Sequence, residues 1–139
     1  MRLAQPDEKV REMMTRQDYN CAEIVVLLGN ERYGLGLAED SFRLLSGFGG
    51  GMYVRKTCGA ISGAIAVLSK LVVADRSHRT EGLNALVSGL IAAMDEAFGA
   101  TDCKDIMPEY RTEELSCSRT VELTLEVLDR YLKEQHVID

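Results

Sequence analysis

Apolar residues recur at helical spacing through most of this chain, and no segment alternates apolar with polar residues as a half-buried strand would. From Pro6 to Arg16, charged residues surround Val10, Met13 and Met14, which predicts a short amphipathic helix beginning at a proline. Asn20 with Glu23 three residues later forms a capping box ahead of the apolar run Ile24 to Leu28, so a second helix is expected to begin at Cys21. Gly34 and Gly36 break the pattern. A shorter helix from about Glu39 to Leu45 then runs into Ser46-Gly47-Phe48-Gly49-Gly50-Gly51-Met52, which reads as a loop.

From Thr57 to about Ala74 the pattern is helical again. Gly59, Gly63 and Ala66 give one face almost no side-chain volume, which marks a central helix that another backbone can approach closely. A further helix from about Thr80 to Phe98 carries Leu83, Leu86, Val87, Leu90, Ile91 and Met94 on one face and ends at Gly99. Asp102 opens a short turn with Cys103 and Ile106, which Pro108 is expected to stop. Ser116 opens a last helix carrying Val121, Leu125, Leu128 and Leu132. The sequence therefore predicts an all-α bundle of five or six helices, forming one domain over residues 1–139.

Its 139 residues are enough to bury a core without disulfide staples. The net charge of −6 supplies no concentrated basic surface for a nucleic-acid backbone. Ser62, Ser69 and Lys70 interrupt the most apolar stretch, Ile61 to Ala74, so no membrane span is expected. Met1 to Val10 is charged from Asp7 to Lys9 and does not read as a secretory signal. A cytoplasmic protein is the resulting expectation, and cysteines kept reduced there are expected to be reactive or metal-bound rather than permanent cross-links.

Four cysteines stand out: Cys21, Cys58, Cys103 and Cys117 each follow a residue suited to cap a helix, namely Asn20, Thr57, Asp102 and Ser116. A helix N-terminus carries roughly half a positive charge, which favours thiolate over thiol, so depressed pKa values are expected. Arg55 and Lys56 precede Cys58 and make it the candidate nucleophile. Asp102, Asp105, Glu113 and Glu114 suggest resolving or ligating roles for Cys103 and Cys117. Spacing alone leaves all three disulfide pairings open. As an alternative, the same four cysteines could ligate a metal. Their dispersal suits an iron–sulfur cluster better than structural zinc, whose ligands come in close pairs. His78 and His136 have no partner at ligand spacing and read as surface residues. The Gly49-Gly50-Gly51 run lacks the Lys-Ser/Thr ending of a P-loop and serves better as a tight turn than as a phosphate cradle. Ser62 and Ser116 have no recognisable histidine and acid arranged around them, so hydrolysis finds no support.

The order of these pieces resembles the small four-cysteine family described by the pattern C_GCAxxG_C_C. The residues that carry the likeness are Asn20-Cys21-Ala22, Ser46 to Met52, Thr57-Cys58-Gly59-Ala60 with Gly63-Ala64, Phe98-Gly99 before Cys103, and lastly Cys117. The likeness spans nearly the whole chain; Tyr53 and Val54 are bulkier than that stretch often is in relatives. It implies redox activity carried by the four cysteines, without naming a substrate. The expectation is therefore a thiol–disulfide or electron-transfer protein, working with a redox partner protein or a small thiol as a thiol-based oxidoreductase. One alternative makes it an iron–sulfur electron carrier or sensor, with no cofactor required otherwise. Another makes it a binding module whose cysteines merely pack and whose small-residue helix face forms a homodimer.

Overall fold

In the computed structural model, which describes residues 7–139, six α-helices follow one another: α1 (Glu8–Thr15), α2 (Cys21–Tyr33), α3 (Gly59–Val72), α4 (Leu83–Phe98), α5 (Cys103–Tyr110) and α6 (Ser118–Glu134). The all-α class expected from periodicity holds. Among the described residues there is no strand, only two isolated antiparallel bridges. The expected proline start of the first helix and most of the N-terminal stretch read as lacking a secretory signal lie outside the described residues. Asp7 caps α1 instead, accepting from Lys9 N–H at 2.8 Å.

Helices α2 and α3 share the most extensive contact in the fold, and glycines permit it. A Cβ on Gly63 would stand 2.8 Å from Ala22 O, and one on Gly29 would stand 2.6 Å from Val67 Cγ2. The small-residue face of α3 therefore turns inward onto α2. Gly59 and Gly63 lie on it as expected, but Ala66 is only half-buried, and the next position against α2 is Val67, seated over Gly29. At Gly59 and Gly63 this face is occupied within the chain by α2. Around the pair, Leu90 and Met94 of α4 and Val121, Leu125, Leu128 and Leu132 of α6 are fully buried and close the core.

Between α2 and α3 the chain is irregular. The helix expected near Glu39 to Leu45 is a 3-10 segment, Ser41–Phe48, which takes in the first residues of the expected glycine loop. A π-type turn, Gly51–Arg55, follows, closed by Lys56 N–H donating to Gly51 O at 3.1 Å. Gly50, Gly51, Met52 and Tyr53 all have φ near +60°, as does Arg55. Such values cost L-residues roughly 1–2 kcal/mol each, so side-chain bonds must hold this segment in place. The Tyr53 hydroxyl donates back to Ser46 O at 3.4 Å, and Ser46 is itself tied to α2, its hydroxyl donating to Glu23 Oε2 at 2.7 Å and its carbonyl accepting from Asn20 Nδ2 at 2.9 Å.

Pro108 does not stop the turn that carries Cys103, contrary to the sequence reading. Helix α5 passes through it to Tyr110. At the sixth helical position the proline removes only the bond to the carbonyl of Lys104, and the burial of Tyr110 edge-on against Phe98 (centroids 5.1 Å apart) offsets that loss.

The α2–α3 contact has a direct test. Gly63→Ala places a methyl against Ala22 O and Val25, and overpacking of this kind typically costs about 1–3 kcal/mol. The urea midpoint should fall with an unchanged denaturant slope.

Candidate functional site

All four cysteines line one cavity of about 240 Å³, at the point where the N-termini of α2, α3, α5 and α6 meet. Local backbone geometry explains how four dispersed residues arrive there. Asn20 caps α2 with the expected capping box, accepting from Glu23 N–H at 2.9 Å while Glu23 Oε1 accepts from Asn20 N–H at 2.9 Å, and Cys21 is the first helical residue. Cys103 likewise opens α5 after Asp102, although that carboxylate makes no capping bond. At the other two starts the cysteine itself is the cap: Cys58 for α3 and Cys117 for α6. Thr57 and Ser116 are displaced from the capping positions assigned to them because each is held in a bridge.

These two bridges assemble the site. Thr57 pairs with Asp102, with Cys58 N–H donating to Thr101 O at 2.9 Å and Cys103 N–H donating to Lys56 O at 2.6 Å. Residues facing each other in such a pair lie about 4.5 Å apart at Cα, so the starts of α3 and α5 are pinned side by side. Thr112 pairs with Ser116 through bonds of 3.2 and 2.7 Å, a short hairpin that sets Arg111 across from Cys117. Ser116 accommodates it with φ +52°.

Glycines then let the sulfurs approach. A Cβ on Gly59 would lie 2.6 Å from Cys21 Sγ, and one on Gly51 would lie 2.9 Å from Cys103 Cβ. The amide of Gly50 points to the thiol of Cys21, so the glycine run serves the cysteines rather than a phosphate. Met14, Tyr53, Ile106 and Met107 complete an apolar lining, and Arg55 and Arg111 are its cations.

The electrostatics differ from the sequence expectation. Depressed pKa values were expected at helix starts, yet burial pushes the Cys21 thiol up to about 12 and the Cys58 thiol up to about 11. Desolvation of a thiolate outweighs the helix amides here. Those amides do act in the expected sense, since Ile61 and Ala60 N–H favour the Cys58 thiolate, but they do not win. Burial raises the Cys117 pKa as well, and there cations oppose it, first Arg111 and then Arg55. It is also the only one of the four that is not buried.

Arg55, expected to assist Cys58, instead sets Nη1 3.7 Å from Cys103 Sγ, because its left-handed backbone turns the side chain across the cavity. The carboxylates expected to burden Cys117 are not among the groups that shift it. Arg111 escaped the sequence reading altogether. The available signal was the hairpin-length segment Thr112 to Ser116, which brings its two flanks together, although nothing in its composition marks it as a hairpin. His78 and His136 are exposed, as expected.

The raised values set a pH dependence. The folded state keeps the protons of Cys21 and Cys58 above the ordinary value of 9.0, so the associated stability is complete below about pH 9 and is lost as pH rises towards 11 and 12. The loss should be on the order of 1 kcal/mol per pH unit for each thiol. Urea unfolding followed from about pH 8 to about pH 10 should show the decline, and Cys21→Ser should make it shallower.

Comparison with known proteins bears on what this cavity is. No curated protein and no solved structure matches the chain. A family model described as "Putative redox-active protein (C_GCAxxG_C_C)" matches residues 19–131, a span that contains all four cysteines and both bridges. This chain belongs to the C_GCAxxG_C_C family.

Proposed function

We propose that the cavity is a thiol–disulfide centre in which Cys117 and Cys103 form an outer reactive pair and Cys21 and Cys58 an inner one, making the protein a thiol-based oxidoreductase of the cytoplasm. The observation that carries the reading is that four thiols from four separate helix starts line the same cavity. Cys117 is the entry point in this reading, replacing Cys58, because it is the least buried thiol and has Arg111 and Arg55 to favour its thiolate. A thiolate is the attacking species, and cations lower the cost of forming it.

The chemistry balances with a disulfide as oxidant. Cys117 thiolate attacks one sulfur of the disulfide, forming a mixed disulfide and expelling one thiolate. Cys103 thiolate then attacks the Cys117 sulfur, closing the Cys103–Cys117 bond and expelling the second thiolate. Two protein thiols are oxidised, one external disulfide becomes two thiols, and the protons pass to the leaving groups.

The test uses oxidised glutathione and intact-mass analysis. Cys103→Ser should accumulate the mixed disulfide on Cys117, Cys117→Ser should fail to form it, and Cys58→Ser should react as the wild type does. Mixed-disulfide formation at the wild-type rate in Cys117→Ser would refute the assignment.

A second reading has an observation of its own. Among the described residues no three His, Cys, Asp or Glu side chains are gathered as a single ion needs, so mononuclear zinc does not fit. Four thiols spread around a cavity, with helix N-termini and two arginines to offset negative charge, are better suited to an iron–sulfur cluster held by Cys21, Cys58, Cys103 and Cys117. Such a cluster would supply one-electron transfer. Iron and acid-labile sulfide in stoichiometric amounts in protein purified without oxygen would establish this reading over the first.

A further inference from the structure

Five large apolar side chains are exposed among the described residues, and all lie on one segment: Leu44, Phe48, Met52, Tyr53 and Val54, with Leu44 80% and Tyr53 71% exposed. Surfaces of this kind usually mark a contact with another macromolecule. Only Tyr53 also lines the cysteine cavity, so the other four lie outside it and are out of reach of a small molecule bound within. The strip spans the 3-10 segment and the π-type turn that follows it. Its outer part is the turn with φ near +60° at Met52 and Tyr53, a strained conformation of the kind that collects at functional sites.

Charge frames the strip unequally. Glu39 and Asp40 precede it, Asp40 paired with Arg43 at 3.9 Å, while Lys56 follows it, is exposed and makes no ion pair among the described residues. This frame suits a protein with an apolar collar and a carboxylate on one flank. An anionic bilayer would meet Glu39, and the chain as a whole carries −6. Within the cavity, Cys21, Cys58 and Cys103 are buried, so Cys117 is the sulfur most open to a partner's thiolate.

We propose that this strip docks a thioredoxin-type protein dithiol, which reduces the cavity's disulfide at Cys117. The proposal rests on the thiol–disulfide reading above and names its reductant. One partner thiolate attacks the Cys117 sulfur of the Cys103–Cys117 bond, which releases Cys103 as a thiol once it takes a proton. The second partner thiolate attacks the partner's own sulfur in the mixed disulfide, leaving the partner oxidised and Cys117 free. Two electrons pass to the protein and two protons follow them.

The experiment compares two reductants on the full chain after oxidation, counting free thiols over time. The probes are reduced thioredoxin and dithiothreitol, and the variant is Leu44→Gln with Val54→Thr, two exposed positions that contribute nothing to the core. Removal of two apolar anchors should slow reduction by thioredoxin at least about tenfold while leaving the dithiothreitol rate unchanged. Lys56→Glu should slow only the thioredoxin reaction and weaken its salt dependence. Equal thioredoxin rates in wild type and double variant would overturn the docking proposal, as would reduction by dithiothreitol but not by thioredoxin. In both cases the thiol–disulfide reading would survive. Failure of the oxidised chain to regain thiols with either reductant would bring down that reading and the docking with it. Co-sedimentation with vesicles containing phosphatidylserine, abolished in the double variant, would assign the strip to a membrane and overturn the proposal.

Discussion

Two backbone hydrogen bonds, from Cys58 N–H to Thr101 O and from Cys103 N–H to Lys56 O, fix what the rest of the site needs. They join segments more than forty residues apart in the chain and place two helix N-termini side by side. Aligning the positive ends of helices is unfavourable, and hydrophobic packing alone gives no reason for it. The bridge imposes the arrangement through main-chain groups, which leaves the adjacent side chains free for chemistry. The hairpin between Thr112 and Ser116 repeats the device at the start of α6. Cysteine can stand at these positions because neither bridge asks anything of its side chain.

Close packing of α2 on α3 is the second constraint, and it serves the same end. With glycine at Gly59 and Gly63 the two helix axes come near enough for Cys21 and Cys58 to share one wall of the cavity. The proximity has an electrostatic consequence. Helix ends that would lower a thiol pKa in an open site are here packed where water is scarce, and desolvation takes over. At the less buried Cys117, Arg111 and Arg55 oppose that effect.

Much of this was legible in the sequence, and the parts that were not share a physical reason. Apolar periodicity identified the helices, and the Asn20–Glu23 capping box identified the start of α2, because both are local signals. The placement of cysteines at helix starts was also local and correct to within a residue. Thr57 and Ser116 were misassigned as caps because bridges to Asp102 and Thr112 decide their conformation, and a bridge is a contact with a remote segment. Pro108 was given too much weight because the burial of Tyr110 beyond it depends on Phe98 from another helix. The sign of the cysteine pKa shifts turned on burial, which periodicity can locate on a helix face but not at the junction of four helix ends. The role of Arg55 could not be read because its backbone lies in the left-handed region.

The burial of Cys21 and Cys58 carries a consequence for how charge moves through this protein. Burial keeps both thiols protonated at neutral pH, and a disulfide between them would be neutral too. Under the proposed thiol–disulfide reading each electron taken from that inner wall would leave with a proton, so that the midpoint potential of the pair would fall about 60 mV per pH unit, two protons at roughly 30 mV each. The helix ends that surround the pair would feel no change of charge between its two states. An inner wall built in this way can exchange hydrogen equivalents while remaining electrically silent to the fold around it.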